Sequence, residues 1–232
     1  MEINLFLWPM LLPMILPLVY SAKYKKDALS EIGGIIVIML LCVLFYWPLL
    51  TSNFLDAYTY IAVKALLFVI LPLGIFLLIK HDFSLIRYSA YGLQKKGLKK
   101  SIFLCILYIP VMVIVTGLIQ YLNGITWEAD LLSGVISFFE AFTEEFFFRG
   151  ILFIFLSQKT NTKIAYMTSL MSFILMHPQN LTTMFIIGTI VQGILTLEIA
   201  RKSQNIIGSW VLHGSNRFFT LALFPLLMSI VF

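Results

Sequence analysis

Charge is scarce in this sequence: only 12% of its 232 residues are Asp, Glu, Lys or Arg, and no stretch is long or polar enough for a separate soluble domain. Cysteine is scarcer still. Cys42 and Cys105 lack CxxC spacing and fall inside apolar runs, so they read as small apolar fillers rather than as a disulfide or a metal site. HExxH is absent, which removes the arrangement in which one helix supplies two zinc ligands and a base. No pair of interrupted apolar segments repeats in the two halves, which argues against a transporter. What abounds is apolar: 60% of residues are hydrophobic, 21 are Phe, and mean hydropathy is +0.97. The net charge of +5 carries no nucleic-acid signal in such a chain.

Apolar runs recur along the whole length, each near the roughly 20 residues that cross the hydrocarbon as a helix. They predict one all-α integral membrane domain over 1–232, a bundle of about eight transmembrane helices. The spans read Leu5 to Tyr20, Ile32 to Leu50, Ala57 to Ile79, Ser101 to Leu122, Leu131 to Leu156, Lys163 to His177, Leu181 to Ala200, and Asn205 to about Ile230. The first follows Glu2 and precedes Lys23, Lys25 and Lys26, the reverse of a signal peptide's flanks, so it is expected to be retained. Pro9, Pro13 and Pro17 should bend it.

With eight spans the loops alternate sides, and the basic residues divide cleanly. Lys23, Lys25, Lys26, Lys80, Arg87, Lys95, Lys96, Lys99, Lys100, Lys159, Lys163, Arg201 and Lys202 share one side, while the opposite connections near 51–56, 123–130 and 178–180 contain no Lys or Arg. The basic side is the expected cytoplasmic one, with both termini outside. The connection Lys80 to Lys100 mixes Phe83, Leu85, Ile86, Tyr88 and Tyr91 with its basic residues, and is expected along the lipid surface.

Against this apolar background stands Glu144-Glu145-Phe146-Phe147-Phe148-Arg149. A charge near the centre of the hydrocarbon costs about 2.5–3.5 kcal/mol on insertion scales, so three within six residues require a reason. Glu145 and Arg149 are four apart and can pair on one helix face. Glu144, about 100° away, lacks that partner and is the candidate for chemistry. Lys64, Glu140, Lys163, Glu198 and Arg217 also lie within or at the ends of spans. Glu198 has a local explanation in Arg201 and Lys202, and Glu140 is the expected partner of Lys64. A rise of about 1.5 Å per residue puts Glu144 about 20 Å, His177 about 21 Å and His213 about 12 Å from the cytoplasmic helix ends. These depths are compatible with one layer, and Asn216, one turn beyond His213, shares its face.

Glu144-Glu145-xxx-Arg149, Phe173-xxx-His177 and the later His213 with an asparagine one turn on resemble the CPBP family, the CAAX prenyl endopeptidases and bacteriocin-processing (Abi) enzymes. The resemblance spans roughly Leu131 to Arg217; the four preceding spans, 5–122, match only in being membrane helices. One position departs from pattern: Arg217 stands four residues after His213, where the family usually places Asn or Asp, and Asn216 is three after. The resemblance implies an intramembrane endopeptidase of bacterial cell-membrane type that cleaves a membrane-associated peptide or membrane-tethered protein. Glu144 would be the base, with neutral His177 sharing its water; His213 and Asn216 would be oxyanion donors, and Glu145 and Arg149 would hold the helix. Metal-free chemistry is one version, and zinc held by Glu144, His177 and His213 is the other. The same fold could instead serve without catalysis, in bacteriocin self-immunity or as a scaffold.

Overall fold

A computed structural model describes residues 8–51, 57–80, 88–124 and 128–231, and all the regular structure among them is helical. Eight continuous helical segments follow the eight apolar runs. They are α1 (8–24), α2 (Leu29–Thr51), α3 (57–80), α4 (Leu98–Leu122), α5 (131–159), α6 (Thr162–Leu175), α7 (Phe185–Ser203) and α8 (207–231). Three stretches, Lys26–Phe45, Thr59–Ile79 and Leu98–Leu122, are long and apolar enough by themselves to cross a membrane. The chain is an integral membrane protein, and α5 falls outside that set because it carries Glu140, Glu144, Glu145 and Arg149.

The proline-rich start is handled by its neighbour. Residues Trp8–Met14 form a 3-10 helix that passes into an α-helix over Ile15–Tyr24. Pro13 cannot donate to the Met10 carbonyl in the 3-10 pattern, and Pro17 cannot donate to the Pro13 carbonyl in the α pattern. Hydroxyls of α6 reach both: Ser172 donates to Met10 at 2.9 Å and Thr168 to Pro13 at 3.4 Å. Two buried hydroxyls and two freed carbonyls thus satisfy one another.

Three helices widen into π-helical turns, at Leu66–Ile70 in α3, Phe146–Phe155 in α5 and Phe219–Leu223 in α8. Such turns insert extra backbone and gather at functional sites. Each begins one or two residues after a charged residue: Lys64, Glu145 and Arg217. The α5 turn is buried on every side, as expected of a helix that is apolar all round. Phe146, Phe147, Phe148, Phe153 and Phe155 fill the centre of the core with Phe68, Phe76 and Tyr91.

One expectation is overturned here. Tyr91 does not lie at the lipid surface; it is fully buried, with its ring stacked on Phe76 at 6.4 Å and against Phe155 at 5.5 Å. Gly150 opposite admits it, since a Cβ there would lie 3.0 Å from the Tyr91 carbonyl. The aromatic ring gains more by filling the α3–α5 gap than by lying among headgroups. Phe83, Leu85 and Ile86 lie outside the described residues. Cys42 and Cys105 are buried and free, as read.

The loops assigned to one side do meet at one end of the bundle. Lys25 donates to the Thr160 carbonyl at 3.0 Å, Lys159 pairs with Glu31 at 2.8 Å, and Asn205 donates to the Gln94 carbonyl at 2.6 Å. Glycine is required at position 97, where φ is +77° and a Cβ would meet the Ser203 carbonyl at 1.9 Å. Asn205 also accepts from the Ile207 amide at 2.9 Å, just ahead of α8, which starts two residues later than the apolar run. Glu198 pairs with Arg201 at 2.7 Å and Lys202 at 3.7 Å, the local pairing expected. With this end in the cytoplasm, single cysteines introduced near Lys96 and Lys159 should react with an impermeant maleimide only from inside, and one near Asn123 only from outside. Opposite accessibility would reverse the orientation.

Candidate active site

The charged residues of α3, α5 and α8 collect into one buried cluster. Glu144, Glu145 and Arg149 are each 0–1% exposed, and so are Lys64 and His213. Close packing brings the helices together: a Cβ at Gly214 of α8 would lie 2.7 Å from the Phe138 carbonyl of α5, so glycine lets His213 approach the two glutamates. Trp210 donates to that same carbonyl at 3.0 Å and holds the register.

Lys64 pairs with Glu140, as expected from the sequence, but its ammonium also reaches Glu144 Oε1 at 2.5 Å. Arg217 completes the arrangement, bonding Glu140 and reaching Glu144 Oε1 at 2.6 Å. Glu144 is therefore not the unpaired carboxylate that its own helix suggests. Its partners come from α3 and α8, and positions four residues along α5 could not reveal them. Glu145 behaves as read, with its Oε2 3.2 Å from Arg149 Nε. Arg149 also bonds Thr196, donates to the Gly193 carbonyl at 3.3 Å, and lies over the Phe173 ring at 4.2 Å, so it locks α5 to α6 and α7.

The histidine tautomers follow from their partners. Arginine can only donate, so the 3.0 Å bond from Arg217 Nε makes His213 Nε2 an acceptor. The His213 proton then sits on Nδ1 and is donated to Glu145 Oε1 at 2.8 Å. His213 Nε2 is also 3.8 Å from Glu144 Oε2. His177 Nδ1 is 2.9 Å from the Phe173 carbonyl, which fixes its proton in the same way and leaves the Nε2 lone pair. Its ring is 4.9 Å from that of Phe173, which in turn is 6.1 Å from His213.

A cavity of about 160 Å³ opens beside the cluster, and His177, His213, Asn216 and Arg217 all line it. Glu144 is not part of its wall; Arg217 and His213, which are, hold it from behind. Glu144 Oε2 is buried without a hydrogen-bond partner among the described residues. Asn216 accepts from Thr116 at 2.7 Å and donates one N–H to Gln192 at 2.7 Å, which leaves its second N–H. His213 offers no spare N–H in this arrangement, since its one ring proton goes to Glu145. The guanidinium of Arg217, 25% exposed, is a charged donor at the wall.

Zinc fits these residues poorly. A ligand from His213 would need the Nε2 lone pair that Arg217 occupies, and one from Glu144 would need the oxygen that Lys64 and Arg217 hold, or its neighbour beside them. Glu140, Glu144 and Glu145 already balance Lys64, Arg149 and Arg217, so a dication would add uncompensated charge.

Sequence reasoning missed the reach of Lys64 to Glu144, the place of Arg217, and the polar residues of α4 and α7. A signal for the last was present. Thr116 and Gln120 are four apart in an apolar helix, and Thr189, Gln192 and Thr196 repeat at three and four, so each set marks a single buried polar face.

Fold and site thus define a helical membrane protein with a charge-balanced acid and histidine cluster beside a polar cavity. Residues 126–219 match the family model described as type II CAAX prenyl endopeptidase Rce1-like, nearly the stretch over which the motifs carried the resemblance. The chain is similar over that segment to a family of membrane endopeptidases. No curated protein and no solved structure matches the chain.

Removing Lys64 should leave two buried carboxylates short of a cation. Lys64→Met should cost about 3–5 kcal/mol in thermal denaturation of the detergent-purified protein. The double variant Lys64→Met/Glu140→Leu should recover most of that loss, because the two groups removed oppose each other. Equal stability of the single variant and the parent would show that the pair carries no such weight.

Proposed function

We propose that the protein is an intramembrane endopeptidase that hydrolyses a peptide or membrane-tethered protein with a water held between Glu144 and His177. One observation carries this reading: the carboxylate oxygen Glu144 Oε2 is buried, has no hydrogen-bond partner among the described residues, and lies 3.8 Å from His213, which lines a cavity together with His177. The family match over 126–219 supports the same reaction class.

In the proposed reaction, Glu144 Oε2 takes a proton from the water while the lone pair of His177 Nε2 holds its other hydrogen. The oxygen adds to the scissile carbonyl, and the negative charge that develops is met by the Arg217 guanidinium. Glu144 returns its proton to the departing nitrogen as the C–N bond breaks, leaving a carboxylic acid and an amine. His213 acts by position: its Nδ1–H is fixed by Glu145, and its Nε2 receives Arg217 Nε and aims the guanidinium. Glu145 and Arg149 keep that assembly on the α5 turn. Arg217 meets the oxyanion with the remaining Asn216 N–H beside it, the other being donated to Gln192.

A second reading, a non-catalytic relative that confers bacteriocin immunity or scaffolds a partner, draws on one feature. Lys64 and Arg217 both hold Glu144 Oε1, an arrangement that a purely structural, charge-balancing carboxylate would also show. Substitution separates the two. Glu144→Gln preserves shape and should lower cleavage of membrane peptides by about two orders of magnitude or more, with insertion and yield retained. If the biological activity survives that change, the non-catalytic reading stands. Thorough chelation should leave cleavage by the purified protein unchanged; loss on chelation and recovery with zinc would overturn the metal-free chemistry.

A further inference from the structure

The cavity wall contains a group that the proposed chemistry does not use. Helix α4, outside the family match, contributes Met112, Thr116, Ile119 and Gln120 to it. Gln120 is 1% exposed, and neither its amide nitrogen nor its carbonyl oxygen has a hydrogen-bond partner among the described residues. Buried polar groups are almost always hydrogen-bonded, so a buried carboxamide with both ends open calls for a partner that supplies a donor and an acceptor together.

The polar groups around it form a relay that leaves amide donors at the wall. Thr116 donates to Asn216, and Asn216 donates to the Gln192 carbonyl oxygen. This relay ends on the Gln192 amide group, which lines the cavity. Asn180 is satisfied separately, donating to Thr189 at 2.8 Å. The unused groups of α4 and α7 are therefore neutral carboxamides, suited to a neutral ligand that carries N–H and C=O side by side. Apolar wall residues, including Met112, Ile119 and Phe185, suit apolar side chains on the same ligand.

We propose that Gln120 and Gln192 form a subsite for the main chain of an extended apolar peptide, in which Gln120 makes a reciprocal pair of hydrogen bonds with one peptide group. The proposal rests on the endopeptidase reading only in taking that peptide to be its substrate. It adds that recognition is directed at backbone rather than at a charged side chain, and that it comes from a helix outside the matched segment.

Binding can be read without cleavage. The full chain carrying Glu144→Gln, in detergent, is titrated with a dansyl-labelled pool of apolar heptapeptides and with the same pool N-methylated along its main chain. The unmethylated pool should bind, and methylation should weaken it by about tenfold, the equivalent of one good hydrogen-bonded pair. Adding Gln120→Leu should give a similar loss and abolish the difference between the pools, with thermal stability equal or raised because an orphaned amide has been removed. Gln192→Leu should weaken binding independently, which covers the case of a Gln120 variant that misfolds. Undiminished binding by Gln120→Leu, equal binding of the two pools, or no binding at all overturns the subsite; undiminished binding with higher stability assigns Gln120 to a buried water instead. Peptide binding that depends on Gln120, in a protein whose parent cleaves nothing, keeps the subsite and sinks the endopeptidase reading.

Discussion

Three carboxylates and three cations compensate one another inside an apolar bundle, and much of the architecture follows from keeping them together. Glu140, Glu144 and Glu145 come from one helix, while Lys64, Arg149 and Arg217 come from three. No single member could remain buried alone, because an unpaired charge at this depth costs several kcal/mol. The cluster therefore constrains how α3, α5 and α8 are placed against one another. Where those helices approach, the small residue Gly214 allows contact at backbone distance.

The same constraint joins the two halves of the chain. Residues 126–219 match a known family, yet Lys64 of α3 neutralises the cluster and four residues of α4 line the cavity. The N-terminal helices are thus part of the site and not merely a membrane anchor beside it. Thr168 and Ser172 extend this dependence to α1 by accommodating carbonyls that its prolines leave open. The π-helical turns that follow Lys64, Glu145 and Arg217 lie close to the charged layer in sequence, where extra backbone can re-aim a side chain.

The departure at Arg217 gains meaning in this setting. As a sequence feature it was a mismatch, a cation where the related pattern has a small polar side chain. In the structure it touches Glu140, Glu144 and His213 and faces the cavity. Lys64 and Arg217 balance the charge of the acidic helix from opposite sides of the chain, while the shorter Asn216 serves a relay to Gln192.

Local properties were legible in the sequence. Composition determined the class, apolar runs located eight helical segments, and the i,i+4 spacing of Glu145 and Arg149 gave a pair that the structure contains. The Lys64–Glu140 partnership was also readable, because burial depth leaves a lysine few options. What the tertiary structure decided was every relation between residues far apart in the chain. Glu144 looked unpaired because its partners lie 80 and 73 residues away, Tyr91 looked interfacial because the gap it fills belongs to other helices, and the Asn216 relay was hidden because Thr116 and Gln192 belong to other helices. Helical periodicity assigns a side chain to a face of its own helix. Which neighbour that face meets is set by packing, where hydrogen-bond saturation and charge balance are settled across the whole bundle at once.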